Sequence, residues 1–177
     1  MNYRGIILAL LAVIALAVLF LLKQNNPYLK YSPLTAGRPA PDFSLPGLDG
    51  KRLSLADHKG HVVLVNIWAT WCPPCIDEMP SMQALYKELK GENFEILAVS
   101  IDALGSKAVA PFMKKYNLSF PALLDPEATI KTLYQTTGVP ESFIIDKQGV
   151  LVEKIIGPRN WAAPEVVRYF RYLIRKG

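Results

Sequence analysis

The segment "HVVLVNIWATWCPPCIDEMP" at residues 61–80 joins a predicted strand to a predicted helix and contains both cysteines of the chain. Its first eight residues form an almost unbroken β-branched and apolar run, which is typical of a strand buried on both faces. From Cys75 onward, apolar residues recur at helical spacing as far as Leu89. The sequence therefore places Cys72 directly after a buried strand and at the start of a helix.

This position favours a reactive thiolate at Cys72. The first turn of a helix offers unpaired N–H groups and the positive end of the helix dipole, and both stabilise an anion. Pro73 suits the first turn because it has no N–H to leave unpaired. Cys75 lies one helical turn further along the same face. The spacing predicts a cycle in which Cys72 attacks a substrate disulfide and Cys75 resolves the mixed disulfide.

Two other interpretations of the cysteine pair are weaker. A static disulfide at this spacing closes so short a loop that its entropic stabilisation is slight. A zinc site would need two further ligands, and the two histidines, His58 and His61, lie together in one loop before the strand. We therefore expect a redox-active dithiol with no metal and no other cofactor.

Side chains close to the cysteines add candidates for the chemistry. Glu78 follows Cys75 by three residues, so it can exchange a proton with that thiol, although its charge would oppose thiolate formation. A solvated glutamate in an acid-favouring first turn explains Glu78 equally well. Trp71, beside the attacking cysteine, can shield it or contact a partner. Trp161 lies far downstream and carries no site signal in the sequence.

The remaining segments predict an α/β domain with a mixed sheet flanked by helices. Residues 42–55 alternate around a glycine-containing turn and predict a hairpin, and residues 94–102 predict a second buried strand. Helices are predicted at 106–117, with Ser106 as N-cap, at 128–138 and at 163–176. Residues 139–156 contain two strands joined so tightly that they must form an antiparallel hairpin.

The amino-terminal region predicts a membrane anchor. Residues 5–22 are apolar and uncharged, and at about 1.5 Å per residue they cross most of a bilayer core. A cleaved signal peptide has a shorter apolar core and a small-residue site directly behind it, which is missing here. We expect a cytoplasmic tail at 1–4, a single transmembrane helix at 5–22, a linker at 23–41 and a domain at 42–177 on the extracytoplasmic (periplasmic) side of the inner membrane.

The net charge does not indicate a nucleic-acid partner. The chain carries +5, but three of its 20 basic residues precede residue 31 and all 15 acidic residues follow it. The domain is therefore almost neutral. Its last basic cluster, in "RYFRYLIRKG", is spaced as the polar face of a terminal helix, so we expect no nucleic-acid binding.

Three motifs together resemble the redoxin branch of the thioredoxin-like proteins, in particular the membrane-anchored TlpA, ResA and CcmG type. They are "GRPAPDFSLPGLDGKRLSL" at 37–55, "VNIWATWCPPC" at 65–75 and "GVPESFIID" at 138–146. The resemblance covers residues 37–175. It implies a thioredoxin-like fold with an N-terminal hairpin and a central insertion at 102–138.

The resemblance also implies roles for site residues. Cys72 would be the attacking thiol of a redox-active disulfide with Cys75. Val139 and Pro140 would form a cis-proline loop that packs against the disulfide and, with Trp71, contacts the incoming peptide. Members of this group usually act as protein-disulfide reductases outside the cytosolic membrane. Many act on the haem-site cysteines of apocytochrome c and are reduced again by a membrane thiol donor.

Glu78 falls at the acidic position that this group has behind its CxxC motif. Thioredoxins carry a buried aspartate where this chain has Asn66, which cannot take a proton, so Glu78 is the better proton partner. A peroxiredoxin-like peroxidase is an alternative, but its PxxxTxxC motif is replaced by Val65 and Ala69. A non-enzymatic assembly factor that binds clients through the Pro140 loop is another.

Overall fold

The computed structural model describes residue 3, residues 11–18 and residues 34–176. The chain divides into two units, 1–34 and 35–177. Residues 11–18 are helical and exposed. The rest of the predicted tail and anchor, and the predicted linker as far as residue 33, lie outside the described residues. Within the described ranges, no helix combines the length and apolar character needed to cross a membrane.

The domain opens with the predicted hairpin. Strand β1 (Ser44–Pro46) pairs antiparallel with β2 (Arg52–Ser54), and a 3-10 helix follows at Ala56–His58. The turn between the strands is closed by a hydrogen bond from the N–H of Gly47 to the carbonyl of Lys51 at 2.8 Å. Gly50 has a φ of 80°, a conformation that favours glycine.

A five-stranded mixed sheet forms the centre of the domain. Its strands are β3 (Val62–Trp68), β4 (Phe94–Ser100), β5 (Ala122–Leu124), β6 (Glu141–Ile145) and β7 (Leu151–Ile156). Their spatial order is β5-β4-β3-β6-β7. Strand β3 pairs parallel with β4 and antiparallel with β6, and β6 pairs antiparallel with β7. The parallel crossover and the antiparallel hairpin were both predicted, but β5 was not, because three residues show no measurable periodicity.

Four helices accompany this sheet: α1 (Pro73–Glu88), α2 (Ser106–Lys115), α3 (Thr129–Leu133) and α4 (Pro164–Lys176). The prediction of Ser106 as an N-cap was wrong. Gly105 takes that position with a φ of 51°, and Ser106 is the first helical residue. The backbone conformation of the preceding turn, rather than a capping hydroxyl, starts this helix.

The hydrophobic core fixes α1 against the sheet. All seven residues of β3 are buried because the strand lies in the middle of the sheet. Met79, Met82 and Leu85 of α1 are also fully buried, in one hydrophobic cluster with residues of β3 such as Leu64 and Trp68. Burial of each such side chain adds about 1.5–3 kcal/mol to the free energy of unfolding, relative to leaving it exposed. This packing holds the first turn of α1 beyond the carboxyl end of β3.

The ends of four strands, β3, β4, β6 and β7, lie side by side at one end of the sheet. Since β3 and β4 are parallel, their carboxyl ends lie together. Strand β6 runs the opposite way, so its amino end reaches the same edge, and the carboxyl end of β7 lies next to it. The cysteine motif follows β3 and Pro140 precedes β6, so the topology brings these two distant segments of sequence together.

Candidate active site

A disulfide joins Cys72 and Cys75 at the amino end of α1. Cys72 is the N-cap residue, with an extended backbone, and its Sγ accepts a hydrogen bond from the backbone N–H of Cys75 at 3.3 Å. Pro73 and Pro74 occupy the first helical positions. Cys72 retains 4% of its accessible surface and Cys75 retains none. A partner can therefore reach Cys72 more readily than Cys75.

The loop before β6 lies against this disulfide. The Val139–Pro140 peptide bond is cis. The carbonyl oxygen of Val139 lies 3.5 Å from Sγ of Cys72. Trp71, which directly precedes Cys72 in the sequence, has 64% of its surface exposed. The tertiary structure thus brings Cys72, the neighbour of the exposed Trp71, against Val139, while Pro140 is buried behind it.

Glu141 ties this loop to the sheet. Its Oε1 accepts hydrogen bonds from the N–H and hydroxyl of Thr137 at 2.8 and 2.7 Å and from the N–H of Gly138 at 3.3 Å. Its Oε2 forms an ion pair with Nζ of Lys154 at 2.9 Å. Burial, the largest single effect, acts to raise the pKa of Glu141, but the bonds from Thr137 and Lys154 together outweigh it and hold that pKa below its ordinary value.

Glu78 is a buried carboxylate with three hydrogen-bond donors. Its side chain is only 3% exposed, so it is not the solvated glutamate that its position in the sequence also allowed. Nδ2 of Asn66 donates to Oε1 at 2.9 Å. Nε1 of Trp161 and the backbone N–H of Arg159 donate to Oε2 at 2.9 and 3.1 Å.

These surroundings change the acidity of Glu78. Burial raises its pKa, and the hydrogen bonds from Trp161, Asn66 and Arg159 oppose the rise without cancelling it. A carboxyl group whose pKa is raised toward neutrality exchanges protons more effectively with a thiol. Glu78 also lies one helical turn beyond Cys75 on α1, which places the two on the same helix face.

Asn66 orients Glu78. It is completely buried in β3, and its Nδ2 donates to Ser142 Oγ at 2.9 Å as well as to Glu78. Its Oδ1 is buried without a hydrogen-bond partner among the described residues. The amide of Asn66 therefore donates to the Glu78 carboxylate, whereas an ionised aspartate at this position would have no proton to donate.

Trp161 belongs to the site, although nothing about its position in the sequence indicated this. Besides the bond from its indole to Glu78, its backbone N–H donates to Ser81 Oγ at 3.1 Å. Ser81 Oγ in turn donates its proton to the carbonyl oxygen of Glu78 at 2.7 Å, and the carbonyl oxygen of Arg159 lies within 3.3 Å of the same hydroxyl. No spacing rule connects Trp161 with the cysteine motif, because only the packing of the 158–161 loop on α1 brings them together.

A cleft of about 390 Å³ opens beside Glu78. Its lining comes from the exposed side of α1 and from the 158–161 loop: Asp77, Glu78, Pro80, Ser81, Pro158, Arg159 and Asn160. Glu78 is therefore the one buried carboxylate among the residues that line this cleft.

The histidines lie apart from this site. His58 ends the 3-10 helix, with Nδ1 2.9 Å from the carbonyl oxygen of Ser54, and His61 follows in the same loop. Within residue 3 and the ranges 11–18 and 34–176, no group of three or more potential metal-ligating side chains is found.

Comparison with known proteins identifies this arrangement. Residues 36–154 match the AhpC/TSA family. The thiol-disulfide oxidoreductase ResA of Bacillus cereus is 44% identical over 124 residues, which cover 70% of this chain and 71% of that protein. ResA of Bacillus subtilis is 34% identical over 153 residues, covering 86% of this chain and 82% of that protein.

A solved structure shows the same fold. The crystal structure of a thioredoxin-family thiol:disulfide interchange protein from Chlorobium tepidum superposes with a TM-score of 0.67 at 31% identity. The match covers 81% of this chain and 99% of that one. Together with the cysteine pair at the start of α1, these similarities settle the family. The chain belongs to the AhpC/TSA family, among the thioredoxin-like thiol-disulfide oxidoreductases of the ResA type.

Proposed function

We propose that this chain is a membrane-anchored, extracytoplasmic reductase of protein disulfides. The observation that carries the proposal is the unequal burial of the two cysteines, since Cys72, beside Val139, keeps 4% of its accessible surface and Cys75 keeps none. An attacking thiol must meet the client, whereas a resolving thiol needs to reach only its neighbour. The geometry therefore supports Cys72 as the attacking residue and Cys75 as the resolving one.

The proposed reaction transfers two electrons from the dithiol to the client. The Cys72 thiolate attacks one sulfur of the client disulfide, and the other client sulfur leaves as a thiolate that takes a proton from solvent. Cys75 then loses its proton to Glu78, and its thiolate attacks Sγ of Cys72. The Cys72–Cys75 disulfide forms, the second client thiolate leaves and is protonated, and Glu78 returns its proton to solvent through the adjacent cleft.

The sequence supports the proposed cellular setting. The apolar run at residues 5–22 supports an anchor with the amino terminus in the cytoplasm and the domain outside. Outside the cytosol thiols tend to become oxidised, so a reductase there needs a thiol donor in the membrane to reduce its disulfide again. The resemblance to the TlpA, ResA and CcmG type supports the haem-site cysteines of apocytochrome c as clients.

A peroxidase is disfavoured by the residues around Cys72. Ala69 and Val65 stand where peroxiredoxins have the threonine and proline of their motif, and both are fully buried apolar residues. Position 69 thus offers no hydroxyl to bind a peroxide. Peroxide reduction by the reduced chain should be no faster than that by a free thiol, and a clear acceleration would support the peroxidase instead.

The reductase is tested with the full chain purified in detergent. Turnover of a model protein disulfide with dithiothreitol as donor should be lost in Cys72→Ser, and full turnover in that variant would exclude the mechanism. The direction of exchange is tested by equilibrating the chain with glutathione. A reduction potential near that of a strong oxidant, about −120 mV, would contradict a reductase, whereas a value near −270 mV would support it.

A further inference from the structure

The first residues of the domain lie at the end of the central sheet that is opposite the disulfide. The N–H of Gly37 donates to the carbonyl of Leu151 at 2.8 Å, and the N–H of Ala40 donates to that of Gly149 at 2.9 Å. These bonds fix residues 37–40 beside the turn between β6 and β7. Since β6 runs antiparallel to β3, this turn lies beyond the amino end of β3, away from the cysteine motif.

Basic side chains gather at this end of the sheet. Within residues 34–176, they come from four separate segments of the chain: Arg38, Lys59, Lys147, Arg175 and Lys176. Lys147 is half-buried and the other four are exposed. We call the surface formed by these five residues the basic end.

The segments of the basic end are in contact with one another. The N–H of Gly60, next to Lys59, donates to the carbonyl of Lys147 at 3.0 Å. Nζ of Lys147 donates to the carbonyl of Ile174 at 2.8 Å, which ties the last turn of α4 to the β6–β7 turn. A cavity of about 330 Å³ has both Gly37 and Lys176 in its lining. The basic end is therefore one continuous surface.

The acidic residues near the basic end have partners within the fold. The carboxylate of Asp146 accepts two backbone N–H groups of the β6–β7 turn at 3.0 and 2.9 Å. Asp57 accepts a backbone N–H group at 2.9 Å in front of the 3-10 helix. Glu88 and Glu92 both bond to Arg171, at 2.8 and 3.1 Å. The five basic side chains therefore leave this surface with an excess of positive charge.

The disulfide lies at the other end of the sheet. Strand β3 runs from the basic end to Trp68, just before the cysteine motif. Its seven residues, at about 3.3 Å each, separate the two ends by about 23 Å. The active-site end does not share the positive charge, since Asp77 and Glu127 are exposed there together with Lys107.

We propose that the basic end docks on a bilayer surface of anionic lipid headgroups, so that the disulfide faces away from the membrane. Each lysine or arginine near such a surface strengthens binding about fivefold, within a Debye length of about 8 Å. The segment that follows the predicted anchor enters the domain at this same end, which keeps the basic side chains close to the headgroups. The inference goes beyond the proposed disulfide reduction and rests only on the membrane anchoring proposed with it.

The test uses the full chain in lipid nanodiscs, with its native cysteines held as the disulfide. A fluorophore is attached through Gln148→Cys, on the exposed β6–β7 turn, or through Lys107→Cys, on α2 near the active-site end. The nanodiscs contain phosphatidylcholine alone or with about 30% phosphatidylglycerol, which supplies the anionic headgroups. A lipid with a spin-labelled headgroup quenches any fluorophore that comes close to the surface.

We expect the label at position 148 to be strongly quenched in the anionic nanodiscs and weakly quenched in the neutral ones. The difference should disappear in about 1 M salt, where the Debye length is about 3 Å. The label at position 107 should be weakly quenched in both kinds of nanodisc, because it lies at the end that faces away from the bilayer.

A triple variant in the Gln148→Cys chain then assigns the docking to the basic end. Arg38→Gln, Arg175→Gln, Lys176→Gln removes three of its charges from exposed positions. The ratio of docked to undocked chain should fall about a hundredfold, as the product of three fivefold effects. Lys147 is kept because its Nζ bonds to the end of α4.

A second triple variant is the matched control. Lys51→Gln, Lys107→Gln, Lys131→Gln removes the same charge from the β1–β2 turn, from α2 and from α3. It should keep the quenching of the label at position 148. Both triple variants should keep the unfolding midpoint of the unmodified chain, since the replaced side chains are not buried.

Three results would overturn the proposal: equal quenching at position 148 in neutral and anionic nanodiscs, stronger quenching at position 107 than at 148, or an equal loss of docking in both triple variants. Flotation with vesicles tests the anchor separately. A chain that floats with anionic vesicles but not with neutral ones would contradict the proposed anchor and still support the basic end. These measurements use the oxidised chain, so a failure of the reductase reaction leaves them unaffected.

Discussion

The indole N–H of Trp161 donates a hydrogen bond to Oε2 of Glu78 at 2.9 Å, although the two residues are 83 positions apart in sequence. The backbone N–H of Arg159 donates to the same oxygen. Two of the three donors to this buried carboxylate thus come from one loop. The acidity of the group next to the resolving cysteine on α1 therefore depends on how that loop packs.

Trp161→Phe should raise the pKa of Glu78 further, because it removes a donor that lowers it. The rising limb of the pH–rate profile for client reduction should move to higher pH, since Glu78 must be ionised to accept the Cys75 proton. The lost hydrogen bond to a charged group should cost about 1.5–3 kcal/mol of unfolding free energy. That deficit should grow as pH rises through the pKa of Glu78 in the folded protein, because the ionised form is the one that loses the donor.

Trp68→Phe is the control for this variant. Trp68 is as deeply buried as Trp161, but its Nε1 has no hydrogen-bond partner among the described residues. Its replacement should lower stability through lost packing alone and leave the pH–rate profile in place. If both variants move the profile equally, the indole of Trp161 does not control Glu78.

Asn66→Asp should place a second carboxyl group against Oε1 of Glu78, where the native amide donates at 2.9 Å. Two carboxylates this close cannot both ionise, so the pKa of Glu78 should rise and the pair should share one proton. Denaturant unfolding should show near-native stability at about pH 4 and a growing deficit toward about pH 8. A deficit that is independent of pH would contradict this account of Asn66.

Ser142→Ala provides the comparison for that variant. It removes the other acceptor of Nδ2 on Asn66 without adding charge. The free energy of unfolding should fall by about 0.5–1.5 kcal/mol, as for the loss of a neutral hydrogen bond. This loss should not depend on pH between about pH 4 and about pH 8.

Glu141→Gln should destabilise the chain by about 1–3 kcal/mol near neutral pH, because Lys154 loses its partner and the Thr137 donors lose a charged acceptor. The pKa of Glu141 in the folded protein lies below its ordinary value of 4.5, so its contribution is complete above that pH. The difference from the unmodified chain should shrink as pH falls below about 4.5. Lys154→Met should also be less destabilising at low pH than near neutral pH. A difference in unfolding free energy that stays constant with pH would contradict this role of the Glu141 charge.

Cys75→Ser should trap a mixed disulfide between Cys72 and the client, because the hydroxyl cannot resolve it. Non-reducing electrophoresis of the full chain after exposure to a protein disulfide should show a covalent adduct that dithiothreitol releases. Cys72→Ser should give no adduct, since Cys75 is fully buried. An adduct through Cys75 alone would reverse the assigned roles.

Most of the fold was predictable because its signals are local. The apolar run of β3 and the helical spacing of α1 depend on neighbouring residues, and so does the tight connection between β6 and β7. Strand β5 was not predictable, because its three residues form a strand only where β4 offers an edge to pair with. The start of α2 depended on a backbone turn at Gly105 that residue type alone did not reveal.

The sequence by itself determined the reactive pair, since a CxxC motif that opens a helix after a buried strand needs no distant residue to be recognised. Only the tertiary structure decided what surrounds it. Burial withdraws Glu78 from water, and Asn66 and Trp161 reach it from β3 and from the loop before α4. The acidity of Glu78 depends on this desolvation and on hydrogen bonds from residues 12 and 83 positions away. Local spacing in the sequence does not encode such contacts.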